Sequence, residues 1–125
     1  MPVKGNTAEG RIKKRVKEII KKFGTDVWSD WPVPGGYGKP TLDCIGCCRG
    51  RFFAVETKAP GKKMTQYQQM TAAWMLMAGG EVFLVYDDAT LLQLDMWLDA
   101  VVHNNGKYPS ERETPSRRSP GYTVS

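Results

Sequence analysis

Several features that are common in other protein classes are scarce in this sequence. It contains one histidine, His103, and three cysteines, and no apolar stretch approaches the ~18 residues of a membrane-spanning helix. It shows no internal repeat and no GxGxxG, Walker or HExxH pattern. Its first residues are charged rather than apolar, unlike a secretory signal. We therefore expect a cytoplasmic protein with no nucleotide-binding loop of a familiar kind.

The cysteines do not predict a disulfide framework or a zinc site. Cys44, Cys47 and Cys48 lie within five residues, and an odd, clustered number argues against disulfides. A zinc site would have to recruit carboxylates or a second subunit, because there is one histidine and no second CxxC. In an extended strand, Cys44 and Cys47 also fall on opposite faces. We expect buried thiols and no zinc.

Length and charge indicate one domain with a basic rim. The chain has 125 residues, and its 41% hydrophobic and 25% charged residues are ordinary for a globular protein. Residues 1–23 hold eight basic side chains against two acidic ones, residues 24–103 have a net charge of −3, and residues 104–125 of +2. This distribution suits a polyanion that contacts the rim while a metal occupies the centre. The alternative is a solvated, lysine-rich helix face.

Periodicity and turn residues predict an α/β fold. The predicted elements are a helix over 8–23 that ends at Gly24, a strand over 26–31, a hairpin over 41–58 that turns at Arg49 and Gly50, a helix over 65–78, and a strand over 81–86. Residues 87–103 fit either a strand followed by a helix or one longer helix. We assign residues 1–103 to the domain and residues 104–125 to a disordered basic tail.

The second predicted helix carries an apolar stripe. Its members recur at helical spacing and are Tyr67, Met70, Trp74, Met77 and Ala78.

The stretch "VETK", residues 55–58, places two charged side chains in an otherwise apolar strand. Glu56 and Lys58 point to the same face because side chains alternate along a strand. A two-residue turn at Arg49 and Gly50 would pair Asp43 with Glu56, Ile45 with Ala54 and Cys47 with Phe52. The register therefore predicts a cluster of Asp43, Glu56 and Lys58 at the open end of the hairpin.

Two facing carboxylates repel each other, and a divalent cation resolves the conflict. Mg²⁺ prefers hard oxygen ligands and is held by one or two carboxylates together with waters and a substrate phosphate. Asp43, Glu56 and the backbone carbonyl of Thr57 are candidate ligands. Lys58 could orient an attacking water or stabilise negative charge on the phosphate. The alternative is a surface ion pair of Glu56 with Lys58 or Arg51, which contributes little to stability.

These motifs in order resemble a known family. "GYGKPTLD", twelve residues, "ETK", then "MTQYQ" and a helix ending in "AGG" are similar to the PD-(D/E)XK nuclease superfamily, VRR-NUC type, of phage and repair nucleases. The resemblance covers about residues 8–86. It implies a restriction-endonuclease-like core, with the order helix-strand-strand-strand-helix-strand and a central mixed sheet.

The resemblance also implies roles for particular residues. Asp43 and Glu56 would bind Mg²⁺, with Mn²⁺ as a substitute, and Lys58 would act in catalysis. A glutamate of the first helix, here Glu9, would complete the acidic site, and a glutamine that begins the second helix, here Gln68, would assist. Both have local alternatives, since Asn6–Glu9 fits a helix N-cap and Thr65–Gln68 a capping box. Leu42 departs from the pattern, because the family name leads one to expect proline before the aspartate and Pro40 stands three positions ahead instead.

The implied function is that of a Mg-dependent endodeoxyribonuclease. Its substrate would be structured or branched DNA such as a Holliday junction, and homodimers would place two sites on two strands. Phage origin would put it in the host cytoplasm. Trp28, Trp31 and Tyr37 could stack on unpaired bases. A non-catalytic nucleic-acid-binding module with a nuclease-like fold is the alternative. The lysines expected to contact DNA are Lys13, Lys14, Lys17, Lys39, Lys62 and Lys63.

Overall fold

Four strands form one mixed sheet, and helices lie on both of its faces. The structure is a computed structural model that describes residues 7–33 and 40–107. The elements are α1 (Ala8–Lys22), β1 (Val27–Asp30), β2 (Cys44–Cys48), β3 (Arg51–Thr57), α2 (Gln66–Met77), β4 (Glu81–Val85) and α3 (Asp88–His103). The strand order is β1-β2-β3-β4, antiparallel as far as β3 and parallel between β3 and β4. The predicted α/β class, element order and mixed sheet are confirmed.

The first helix begins at a different cap from the one predicted. Thr7 is the N-cap, and its hydroxyl accepts a hydrogen bond from the backbone N–H of Gly10 at 2.9 Å. Glu9 is therefore the second helical residue, whereas a capping box needs its Glu or Gln at the third. The alternative of an Asn6–Glu9 cap is wrong for this reason. The helix ends before Gly24, as predicted.

The hairpin of β2 and β3 has the predicted register. Ile45 lies opposite Ala54 and Cys47 opposite Phe52. The turn residues Arg49 and Gly50 have φ angles of 47° and 88°. Positive φ at both central residues is the requirement of a type I′ turn, which matches the twist of the strands. A local turn therefore sets the pairing that brings Asp43 toward Glu56.

The sheet separates two apolar cores. On one face, α1 and α3 pack against alternate residues of the strands, including Phe53 and Val55. On the other face, Ala72 of α2 packs with Ala54 and Leu42. Glu56 shares the α2 face with Ala54, because alternate residues of a strand point to the same side.

The apolar stripe of α2 faces away from the sheet. Tyr67 is 62% exposed, Trp74 56% and Met77 83%, whereas the helix buries the smaller Thr71 and Ala72. None of the twelve residues of α2 is charged. The outer surface of this helix is therefore both apolar and uncharged.

Residues 88–103 form one helix, which decides between the two predicted possibilities. Asp87 caps it, and its carboxylate accepts from the backbone N–H of Thr90 at 2.9 Å. None of the described helices has the length and apolar character needed to cross a membrane.

The turn after α3 folds back onto the hairpin. The carbonyl of Gly106 accepts a hydrogen bond from Nε of Arg51 at 2.7 Å, and Nε of Arg49 donates to Asn105 at 3.0 Å. Gly106 has a φ of 83°, and a Cβ there would collide with the carbonyl oxygen of Arg49. Residues 108–125 of the predicted tail lie outside the described residues, and the domain boundary at residue 103 stays a prediction.

Candidate active site

Two of the three predicted acidic residues, Asp43 and Glu56, meet at one end of the sheet. Because β2 and β3 are antiparallel, Asp43, which precedes β2, lies beside the last residues of β3, Glu56 and Thr57. The first turn of α2 lies on the same face of the sheet. Strand pairing and the start of this helix therefore position the site.

Asp43 and the end of β3 exchange hydrogen bonds in place of a regular strand ladder. Oδ2 of Asp43 accepts from the backbone N–H of Thr57 at 2.9 Å and from its hydroxyl at 2.7 Å. In return, the backbone N–H of Asp43 donates to Oε1 of Glu56 at 3.1 Å. If the register continued, Thr57 would pair with Leu42, so the Asp43 carboxylate takes the place of a backbone acceptor. Both acids are held by the backbone of the neighbouring strand.

Glu56 is a buried carboxylate. It is 2% exposed, and its Oε2 lies 3.4 Å from Nζ of Lys58, whose side chain is 15% exposed. Burial raises the pKa of Glu56 above its usual range, and the charge of Asp43 raises it further, against the N–H of Asp43 and the Lys58 ammonium, which lower it. The alternative of a surface ion pair is therefore wrong, and Arg51 lies at the other end of β3.

Gln68 both caps the start of α2 and contacts Glu56 of the candidate site. Its side-chain oxygen accepts from the backbone N–H of Thr65 at 2.9 Å, and the hydroxyl of Thr65 accepts from the backbone N–H of Gln68 at 3.1 Å, which completes a capping box. Its side-chain nitrogen donates to Oε2 of Glu56 at 2.7 Å. Since the cap fixes the oxygen, the amide nitrogen is oriented toward the carboxylate.

Leu42 anchors the chain immediately before Asp43. It is 2% exposed and packs with Ala54 and Ala72 beneath α2. A buried leucine here fixes the backbone by packing rather than by ring geometry. Asp43 therefore reaches Glu56 although proline is absent from the preceding position.

Thr57 contributes more than the predicted backbone carbonyl. Its hydroxyl, in a residue with no exposed surface, donates to Asp43, a contact that sequence reasoning missed. The sequence feature that indicates this contact is a hydroxyl side chain on the inward face of the strand, between two charged residues.

The backbone carbonyl of Thr57 has a direction of its own. The N–H and C=O of one strand residue point to the same side, so the carbonyl of Thr57 points toward β2 and Asp43. The next N–H, of Lys58, bonds in the opposite direction, to Val85 at 3.0 Å.

Glu9 does not join the two acids. Its carboxylate lies 3.5 Å from Nζ of Lys13 on the next turn of α1, and its side chain is 41% exposed. Within residues 7–33 and 40–107, no three His, Cys, Asp or Glu side chains form a group suited to a metal ion. Asp43 and Glu56 therefore lie together in this structure, and Glu9, which was predicted to complete the acidic site, lies apart from them.

The lysines expected to contact DNA lie in two places. Lys62 and Lys63 are exposed in the loop between Lys58 and α2, at the rim of the site. Lys39, like Tyr37, lies outside the described residues. The other members of the set lie on α1, across the sheet from Glu56, and are Lys13, Lys14 and Lys17.

Two of the cysteines belong to the core and the third faces outward. Cys44 and Cys48 have no exposed surface, whereas Cys47 is exposed. Burial raises the pKa of Cys44 to about 12 and that of Cys48 to about 11. These two thiols are protonated core groups at neutral pH.

Comparisons with known proteins identify the fold. No protein-family model and no curated protein matches the chain. Among solved structures, a VRR_NUC domain is similar, with 23% sequence identity, a TM-score of 0.54, and coverage of 78% of this chain and 96% of that chain. At this identity the similarity shows the fold. The chain has the fold of a VRR_NUC domain, and the resemblance noted from its motifs is confirmed at that level.

Proposed function

We propose that this protein is a metal-dependent endonuclease that hydrolyses phosphodiester bonds in DNA. The observation that carries the proposal is the buried carboxylate of Glu56, in contact with Lys58, with Gln68 and with the backbone of Asp43. A surface ion pair of Glu56 with Lys58 accounts neither for the burial of Glu56 nor for its contacts with Gln68 and the backbone of Asp43. The VRR_NUC fold supports the same function.

The donor set fits Mg²⁺, and Mn²⁺ as its substitute. Asp43 and Glu56 would supply carboxylate oxygens and Thr57 a carbonyl oxygen, which are the hard ligands that Mg²⁺ prefers. The backbone N–H and the hydroxyl of Thr57 both donate to Oδ2 of Asp43, so Oδ1 would be the oxygen that binds a cation. Two carboxylates with one carbonyl also leave room for waters and a phosphate oxygen. A bound ion would polarise the phosphate and lower the pKa of an attacking water.

Lys58 and Gln68 have distinct roles beside the acids. Lys58 carries a positive charge 3.4 Å from Glu56, where it can stabilise the negative charge that develops on the phosphate during attack. Gln68 contacts Glu56 rather than the substrate and fixes the direction of its carboxylate. Lys58 is therefore assigned to catalysis and Gln68 to positioning.

The proposed substrate is DNA with a structural feature, such as a Holliday junction. The basic face of α1 and the exposed Lys62 and Lys63 support a polyanionic ligand. The preference for branched DNA follows the resemblance to VRR-NUC proteins. A cytoplasmic location and a phage origin belong to the same proposal.

We further propose that two copies of the chain form a homodimer through α2. The surfaces of monomeric proteins seldom expose a large group of neighbouring apolar side chains, and an exposed patch of this kind marks an interface. In a twofold contact each residue meets the same patch on its partner, so an uncharged helix avoids placing like charges opposite each other. The exposed residues are Tyr67, Met70, Trp74, Leu76 and Met77.

A cleavage assay tests the proposed activity. A labelled four-way junction, a flap, a plain duplex and a single strand are incubated with the protein in Mg²⁺. We compare Glu56→Gln with Glu18→Gln, which removes the same charge from an exposed position of α1. The parent and Glu18→Gln should cut, with a ranking that identifies the substrate class, and Glu56→Gln should not.

The opposite result would favour the non-catalytic alternative. If the parent cuts no substrate in Mg²⁺ or Mn²⁺ but binds DNA tightly and with strong salt dependence, the protein is a nucleic-acid-binding module on a nuclease-like fold.

A further inference from the structure

The outer edge of β1 carries backbone groups that no described strand bonds. Since β1 is the first strand of the order β1-β2-β3-β4, only one of its edges is paired in the described part of the chain. Opposite residues of antiparallel strands alternate between pairs that exchange hydrogen bonds and pairs that do not. The N–H of Arg49 donates to the carbonyl of Asp26 at 3.2 Å, so the next bonded residues of β1 are Trp28 and Asp30. The N–H and C=O of Ser29 therefore point outward, away from β2.

Val27 confirms the direction of this edge. Its N–H also points away from β2 and donates to the carbonyl of Gly24, in the turn that precedes the strand. The carbonyl of Val27 and the N–H and carbonyl of Ser29 follow along the same edge, as one donor between two acceptors. An unpaired strand edge of this kind is a template for pairing with another extended chain.

A pocket borders this edge on the face of the sheet that α1 covers. Its volume is about 400 Å³, and the side chains that line it include Lys17, Ile20, Lys21, Ser29 and Trp31. Directly opposite residues of two paired strands place their side chains on the same face. A strand added at the edge would therefore place alternate side chains beside Ser29, at this pocket.

The pocket contains two lysines that no described acid neutralises. Lys17 and Lys21 form no ion pair with an acid in the parts of the chain that the structure describes, 7–33 and 40–107. Their neighbour Lys22, in contrast, lies 2.7 Å from a carboxylate oxygen of Asp95. Lys17 and Lys21 are four residues apart and therefore lie on the same side of the helix. Charge complementarity thus favours an acidic ligand for the pocket.

The edge and the pocket together favour a polypeptide over DNA as the ligand. Phosphate oxygens accept hydrogen bonds and donate none, so the DNA backbone offers no partner to the outward carbonyls of Val27 and Ser29. Each residue of an extended polypeptide has both a donor and an acceptor. The pocket also lies across the sheet from Glu56, because Glu56 is on the α2 face. A ligand in the pocket is therefore separate from the acids of the candidate site.

We propose that the outer edge of β1 binds an extended acidic segment of a partner protein as a further, antiparallel strand. Antiparallel pairing lets one residue of the segment exchange both hydrogen bonds with Ser29. Main-chain hydrogen bonds hold the segment, and its alternate acidic side chains enter the pocket and contact Lys17 and Lys21. The inference does not rest on the proposed function. It assigns Lys17, one of the lysines expected to contact DNA, to a protein partner.

Binding of a short acidic peptide tests the proposal. The probe is a fluorescein-labelled peptide of about six residues, with glutamate at every second position and threonine or valine between, and fluorescence polarisation measures its binding. Ser29→Pro removes the outward N–H and no bond to β2, at an edge position that tolerates proline. It should weaken binding about tenfold, whereas Ser29→Ala keeps the N–H and should bind like the parent. Circular dichroism shows whether both variants are folded.

Methylation of the peptide's backbone nitrogens tests strand addition without a change in the protein. In an antiparallel segment whose glutamates face the pocket, the glutamate N–H groups point toward β1 and the intervening N–H groups point away. Methylation of the glutamate nitrogens should therefore weaken binding about tenfold, and methylation of the intervening nitrogens should not. This comparison remains decisive if Ser29→Pro does not fold.

A pair of neighbouring lysines tests the acidic preference. Lys21→Ala should weaken binding of the glutamate peptide about threefold, the effect of one exposed ion pair, and should not affect a peptide with glutamine in place of glutamate. Lys22→Ala should leave the binding of both peptides unchanged, because Asp95 already neutralises Lys22.

Three results would overturn the proposal: no binding of the glutamate peptide by the parent, parental binding by a folded Ser29→Pro, or equal effects of the two methylations. Two further results would assign the edge to another ligand. Oligothymidylate that binds in EDTA, weakened by Lys21→Ala but not by Ser29→Pro, would make the pocket a nucleic-acid site. A parental dimer that Ser29→Pro converts to a monomer in light scattering would show that a second copy of the chain covers the edge.

Discussion

The side-chain nitrogen of Gln68 donates to Oε2 of Glu56 at 2.7 Å, while its oxygen is held by the backbone N–H of Thr65. One amide therefore connects the start of α2 to the buried acid at the end of β3. Helix capping and the geometry of the candidate site depend on the same side chain.

Replacement of Gln68 by Glu separates these two roles. Glutamate preserves the capping box, but it removes the donor to Glu56 and adds a third negative charge. We expect cleavage to fall by about 10- to 100-fold, as for other residues that orient a metal ligand. The change is measured as kcat/KM on the preferred DNA substrate.

Thr65→Ala is the control for this prediction. It removes the hydroxyl cap and should lower the free energy of unfolding by about 1 kcal/mol. The backbone N–H of residue 65 still holds the Gln68 oxygen, so cleavage should change little. Equal losses in the two variants would assign the effect to the helix start rather than to the amide.

Lys58→Ala should abolish most cleavage but not DNA binding. Removal of a charge that stabilises the transition state typically lowers kcat by about 10²- to 10³-fold. Binding of the junction in Ca²⁺, followed by gel shift, should persist because other lysines contact the phosphates. Lys107→Ala, at an exposed position after α3, should cut normally. A Lys58→Ala protein that cuts as well as the parent would remove Lys58 from the mechanism.

The stability of the metal-free protein should depend on pH through Glu56. Its folded-state pKa is raised by burial and by Asp43, so the folded state binds this proton more tightly than the unfolded chain, whose glutamates titrate near ~4.3. The resulting stabilisation is present below that pH and is lost as the pH rises through the folded-state pKa. In EDTA, the Tm of the parent should therefore fall relative to that of Glu56→Gln between acidic and neutral pH.

Mg²⁺ should change the Tm of the parent relative to that of Glu56→Gln in the opposite direction. At neutral pH a cation that binds the folded state stabilises it by mass action, so excess Mg²⁺ should raise the Tm of the parent and not that of Glu56→Gln. Glu18→Gln should follow the parent in both series. An equal response of all three proteins to Mg²⁺ would place the ion elsewhere.

The thiols should react in the order of their exposure. Cys47 is exposed, whereas burial raises the pKa of Cys44 to about 12 and that of Cys48 to about 11. Because the thiolate is the reactive form, Ellman's reagent should modify one thiol per folded chain and all three in denaturant. Rapid modification of a second thiol without denaturant would contradict the burial of Cys44 and Cys48.

The uncharged surface of α2 should support a dimer. Trp74→Glu places like charges opposite each other in a twofold contact and should convert a dimer to a monomer in light scattering. Leu92→Glu introduces the same charge at a position of α3 that is equally exposed, 57% against 56%, and should leave the mass unchanged. A parent that is monomeric at high micromolar concentration would refute a dimer through this helix.

The sequence predicted the hairpin and the acids because the information is local. A two-residue turn with positive φ at Arg49 and Gly50 sets every pair along the hairpin, including the approach of Asp43 to Glu56. Side-chain alternation then places Lys58 on the same face as Glu56.

Other features depend on contacts between distant segments. The periodicity of α2 shows a stripe at Tyr67 and Trp74, but the small residues Thr71 and Ala72 are the ones that fit against the sheet. The i,i+4 spacing of Glu9 and Lys13 is a local feature, but the distance of Glu9 from the other acids depends on where α1 packs, which its position in the sequence does not decide.

The folding of Gly106 and Asn105 onto Arg51 and Arg49 places the end of the described chain at the hairpin tip. The acids lie at the opposite end of β3, whose seven residues span ~20 Å. An affinity tag or a fluorophore attached after Lys107 would therefore begin far from the candidate site. The carboxyl-terminal side is the one to choose for labelling and immobilisation in assays of DNA cleavage.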